Sequence, residues 1–196
     1  ALQLNSEPNP FARSIAEGLS LGGDADWALE GWKRLINGLR VRGRMSDGDN
    51  LISSQTWSTI FAQVFLLREK NICDLLSCAL RDLDPRSEGE ILLRPALNQI
   101  SHAPASMHNF LAELVAEQAA QLSAQLRRRF APDFAVAFAA LNKDELTRRW
   151  LDDHGIWPRS PQWKQRILRA LYQWAEENQN EHWIRSCSAE LNSIQD

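Results

Sequence analysis

Apolar residues recur along most of the chain three or four positions apart, the spacing that places side chains on one face of an α-helix. The longest regular stretch runs from about 105 to 130, and Pro132 is expected to end that helix and begin another. A second long stripe begins at Ser53 or Ser54 and ends at Asp84, with a break expected at 69–71. Near the N-terminus, Phe11, Ile15 and Leu19 share one face of a short helix.

Capping residues and helix breakers divide this pattern into separate elements. Asn9-Pro10 is typical of a helix start, and Gly22-Gly23 of a helix end. Ser87 and Glu90 form the Ser-x-x-Glu signature of a capping box. Periodicity, caps and breakers together predict an all-α protein, a compact multi-helix bundle of about eight or nine helices.

The one segment that favours β-structure lies at 40–52. Asp47-Gly48 is a turn signal, and the residues around it alternate between apolar and polar. The sequence therefore predicts a loop or a tiny β-hairpin here.

The length of 196 residues suits one sizeable core or two small ones. We expect a single helical domain over 1–196, or two lobes at 10–84 and 105–196 that are joined by 85–104.

Composition and charge narrow the class of protein. Hydrophobic residues make up 44% and charged residues 24%, as in ordinary globular proteins, and the formal net charge of −3 argues against a dedicated duplex-DNA binder. No apolar run is long enough to span a bilayer, the first residues lack the features of a signal peptide, and three cysteines indicate no disulfide framework. A cytoplasmic protein is expected.

Sequence motifs for catalysis are absent. The four histidines form no metal-binding spacing, and no nucleophile elbow or phosphate-binding glycine loop occurs. Neither a metal nor a cofactor is predicted. Glu113 and Glu117 share a helix face and are the best candidates for a site assembled in space, although they lack the Glu-x-x-His partners of a di-metal centre.

Basic residues are concentrated in two segments. Five lie within 33–44 with no acid among them, and 121–170 holds ten basic residues against five acidic ones. Trp157 and Trp163 lie beside the second set and are candidates for base stacking. The predicted binding residues are Lys33, Arg34, Arg40, Arg42, Arg44, Arg127, Arg128, Arg129, Trp157, Arg159, Trp163 and Lys164. The alternative is that these cations pair with neighbouring acids or cap helix C-termini, as Arg127–Arg129 would do at the end of the 105–130 helix.

Two functions follow as hypotheses. Eight tryptophans against one tyrosine, without catalytic motifs, favour a non-enzymatic interaction module with a protein partner, such as an adaptor, a chaperone or a regulatory subunit. The alternative is a helical nucleic-acid-binding protein that uses the arginine-rich segments 33–44 and 127–169.

Overall fold

The computed structural model describes residues 9–45, 52–84, 86, 88–152 and 161–194. These residues form ten α-helices and no strand, which confirms the all-α prediction. The helices are α1 (Pro10–Gly22), α2 (Asp26–Met45), α3 (Ser54–Val64), α4 (Glu69–Leu80), α5 (Arg94–Ile100), α6 (His108–Gln121), α7 (Ala124–Ala140), α8 (Asp144–Asp152), α9 (Pro161–Glu177) and α10 (Glu181–Ser193). A π-helical turn, Gly89–Leu93, precedes α5, and a 3-10 turn, Ala105–Met107, precedes α6.

The chain divides into two compact units, Ala1–Gln99 (unit 1) and Ile100–Asp196 (unit 2). In unit 1, α1 packs against α2 and α3, α2 packs against α4, and α3 contacts the π-helical turn. Trp32, Ile36, Trp57, Phe61 and Leu76 are buried in this unit.

In unit 2, α7 packs against α6, α8 and α9, and α9 packs against α10. Its core joins alanines of α7, such as Ala135, to Leu168, Leu171 and Trp183. The buried Trp183 indole N–H donates a hydrogen bond to Asp144 Oδ1 over 3.2 Å, which satisfies its polar atom.

The hairpin predicted at 40–52 is wrong for residues 40–45, which are the last turns of α2. The stripe of Trp32, Ile36 and Leu39 is buried and holds this end of α2 on the core, and Arg40 is anchored there as well. Alternation over so few residues does not distinguish a strand from a helix. Residues 46–51 lie outside the described part of the chain.

The helix predicted over 105–130 is two helices, and Pro132 lies inside α7 instead of ending it. The break falls at Leu122, which is buried in an extended conformation, and Ser123 caps α7 by accepting a hydrogen bond from the Leu126 N–H. Buried Phe130 and Phe134 hold α7 on the core on both sides of the proline, so packing outweighs the backbone hydrogen bond that proline removes.

The stripe over 53–84 is likewise divided, between α3 and α4, at 65–68 and not at 69–71. Asp24 holds the start of α4, because its Oδ1 accepts hydrogen bonds from the Arg68 backbone N–H (3.0 Å) and from Asn71 Nδ2 (2.6 Å). These hydrogen bonds, that of the Arg68 backbone foremost, hold the pKa of Asp24 below its ordinary value.

Candidate functional site

The basic residues described in segment 33–44 differ in exposure and in partners. Lys33 is exposed and lines a cleft between α2 and α4. Arg40 lines the same cleft but is largely buried. Arg34 is exposed and pairs with Glu30 one turn earlier, Nε to Oε1 at 3.1 Å. The structure therefore brings Lys33 and Arg40 to one cleft, while Arg34 is paired with an acid.

Arg40 forms a buried ion pair with Glu88, and their side chains are 9% and 7% exposed. Arg40 Nε donates to Glu88 Oε1 (3.0 Å) and Nη2 donates to Oε2 (3.3 Å), a two-pronged contact that suits a guanidinium group. Arg40 also donates to the carbonyl oxygens of Cys78 (3.2 Å), Arg81 (2.7 Å) and Asp82 (3.2 Å) at the end of α4. Its donors are thus used to tie α2 to α4, a structural role.

The cleft beside Arg40 has a volume of about 610 Å³. Cations and acids both line it, among them Lys33, Arg81, Asp74 and Asp82. Mixed charge of this kind gives no strong preference for an anion or a cation. The cleft therefore has the character of a solvated polar surface.

Four of the predicted binding residues have side chains that the structure does not describe. Arg42 and Arg44 lie on α2, but their side chains lie outside the described residues, and so do Trp157 and Arg159 entirely. Their assignment to a binding site stays a prediction.

Arg127, Arg128 and Arg129 lie in the first turns of α7, so the expectation that they end a helix is wrong. Arg127 nevertheless caps a helix end: it reaches back to the preceding helix, α6, where Nε donates to the Leu122 carbonyl (2.9 Å) and Nη2 to the Ala120 carbonyl (3.3 Å). The Arg129 guanidinium lies 5.8 Å from the centre of the Phe130 ring.

Lys164 belongs to an ion-pair network within unit 2. Its Nζ lies 2.8 Å from Glu190 Oε2 and 3.4 Å from Asp152 Oδ1, and Arg148 lies 3.6 Å from Glu190 Oε1. Burial lowers the pKa of Lys164, but the two carboxylates outweigh it, and the net effect is a raised pKa. Trp163 is half-buried against the core with Arg166 over its ring at 5.6 Å.

The acidic candidates are not gathered into a site. Glu113 and Glu117 are both exposed. Within the described ranges, no group of three or more His, Cys, Asp or Glu side chains is placed to hold a metal ion. The helices described are also too short or too polar for any of them to cross a membrane.

The most unusual surface in unit 1 is on α1. Of the predicted stripe of Phe11, Ile15 and Leu19, the first two side chains face solvent, at 79% and 51% exposed, and Leu19 is half-buried. Ala12 and Ala16 are the buried residues of this helix instead. The sequence pattern identified a helix correctly, but the side that it packs on the core is the alanine side.

Small residues explain this inverted packing. Ala12 and Ala16 occupy little space and let α1 lie close to its neighbours α2 and α3. Leu19 lies over Gly31 of α2, where an added Cβ would come within 2.4 Å of Leu19 Cδ2. A side chain at position 31 would therefore displace Leu19, while the side chains of Phe11 and Ile15 remain outside.

We call the exposed apolar residues of α1, together with Gly18, Gly22 and the Trp27 ring at the end of the helix, the α1 apolar face; its members are Phe11, Ile15, Gly18, Leu21, Gly22 and Trp27. Four of these residues follow one another at spacings of four, three and four, and therefore share one side of the helix: Phe11, Ile15, Gly18 and Gly22. The Trp27 ring lies against Gly22, where an added Cβ would come within 2.4 Å of Cζ2. An added Cβ at Gly18 meets nothing within 4 Å.

The members of the α1 apolar face are uncharged. The two charged side chains of α1, Arg13 and Glu17, lie away from Phe11, Ile15 and Gly18 and pair with each other, Nε to Oε1 at 2.8 Å, whereas Leu21 follows Glu17 by one turn. Leu21 is 92% and Trp27 63% exposed. The face is therefore apolar and directed to solvent, with the Arg13–Glu17 pair beside Leu21.

Sequence reasoning missed two features of unit 1. Nothing local relates Arg40 to Glu88, which are 48 residues apart. The outward direction of Phe11 had a usable signal, because Gly18 and Gly22 lie on its stripe and give no bulk to bury.

No protein-family model, curated protein or solved structure matches this chain.

Proposed function

We propose that this protein is a non-enzymatic interaction module, an adaptor or regulatory subunit working in the cytoplasm, whose α1 apolar face binds an apolar, uncharged helical surface of a protein. One observation carries the proposal. Of the seven large apolar side chains that are exposed in the described residues, three lie on α1 and a fourth, Trp27, lies against the end of that helix.

The size of the face supports this proposal. A large aromatic side chain presents about 150–250 Å², so the exposed parts of Phe11 and Trp27 alone come to about 250 Å². With Ile15 and Leu21 the face reaches about 500 Å², in the upper range of the largest apolar patch on a monomeric protein. Patches of this size commonly mark an interaction site.

The charge distribution favours a protein over a membrane or a nucleic acid. Helices that bind membrane surfaces carry several lysines or arginines on their polar side, whereas α1 has one arginine, neutralised by Glu17. A nucleic acid requires cations at the contact surface, and the α1 apolar face has none. A helix with an apolar stripe of its own is the complementary partner.

Sedimentation of the full-length chain in an extract of its native cells tests the proposal. The face variant replaces Phe11 and Ile15 by aspartate, and the matched control exchanges the exposed pair on the same helix, Arg13→Glu with Glu17→Arg. We expect the wild type and the control to sediment as a larger assembly and the face variant to sediment as the chain alone, with circular dichroism unchanged in all three.

Three outcomes would overturn the proposal. The face variant could sediment with the assembly as the wild type does. Nuclease treatment could dissolve the assembly, which would identify a nucleic acid as the partner. Detergent could release the wild type from sedimenting lipid, which would identify a membrane.

A further inference from the structure

We draw no further inference here: the strongest candidate, the exposed apolar surface formed by Phe11, Ile15, Leu21 and Trp27 at α1, belongs to the site already described, and nothing in the structure shows which partner covers it.

Discussion

Removal of Glu88 should destabilise unit 1 strongly, because Arg40 would keep its charge in a buried place. In Glu88→Gln the side chain keeps its size and one carbonyl oxygen, but the guanidinium group loses the ionic partner that contacts it through both oxygens. Removal of one partner of a buried ion pair costs about 3–5 kcal/mol. The three carbonyl oxygens of the α4 end still accept hydrogen bonds from Arg40, so we expect about 3 kcal/mol, at the low end of that range.

A double-mutant cycle isolates the pair itself. Arg40→Met leaves Glu88 without its cation and α4 without three of the hydrogen bonds that cap its end, so a loss of about 4 kcal/mol is expected. The combination of Arg40→Met with Glu88→Gln removes both charges, and we expect it to cost about 2 kcal/mol less than the sum of the two single variants.

The assay is urea unfolding followed by hydrogen exchange of peptides from α2 and α4, so that the free energy of unfolding of unit 1 is read separately from that of unit 2. Arg34→Met is the control, because its exposed pair with Glu30 contributes only about 0.3–0.5 kcal/mol. A loss below about 1 kcal/mol in Glu88→Gln would refute the assignment of Arg40 and Glu88 as a buried structural pair.

Three further predictions concern single positions. Gly18→Ala should stabilise the fold by about 0.5–1 kcal/mol, because its Cβ enters open space. Gly22→Ala should destabilise the fold, because its Cβ would clash with the Trp27 ring and the Ala28 methyl group. Thermal unfolding of monomeric samples measures both changes, and the same sign for both would contradict the packing of α1. Burial raises the pKa of the Cys187 thiol to about 11. A disulfide reagent at pH 8 should therefore modify half-buried Cys78 well before Cys187. Equal rates of modification in the folded protein would show that Cys187 is accessible. Asp24 contributes stability that is fully present above its ordinary pKa of 3.8 and is lost as the pH falls through its lowered pKa in the folded protein. Asp24→Asn should therefore reduce the acid sensitivity of unfolding. An unchanged pH profile of unfolding in this variant would contradict the hydrogen bonds at the start of α4.

Secondary structure was predictable wherever the sequence carries local chemical signals. Asn9 caps α1 by accepting from the N–H groups of Phe11 and Ala12, and Ser53 caps α3 in the same manner. The points at which a long apolar stripe divides into two helices were less predictable, because they depend on contacts between residues distant in sequence. Pro132 would end an isolated helix, but buried aromatic residues on both sides keep α7 continuous.

The direction in which a helix faces is decided by its neighbours. The stripes of Phe11 and of Ala12 are adjacent on α1, and the period of apolar residues suits either as the buried side. Gly31 of α2 leaves room for Leu19, so the last residue of the Phe11 stripe is half-buried while Phe11 and Ile15 face solvent. The Arg40–Glu88 pair is likewise a tertiary feature, so the cationic segment 33–44 gave no local sign that one of its arginines is buried.

The most direct test of the α1 apolar face is photo-crosslinking from position 11. The photoreactive residue benzoylphenylalanine replaces Phe11, and the chain is irradiated in an extract of its native cells and digested with trypsin, which cleaves after Arg13. We predict products that join peptide 1–13 to a peptide of a partner protein, and their loss when Ile15 is also replaced by aspartate. Crosslinks only to lipid or nucleic acid, or protein crosslinks that the Ile15→Asp change leaves intact, would contradict the assignment of this face as a protein-binding surface.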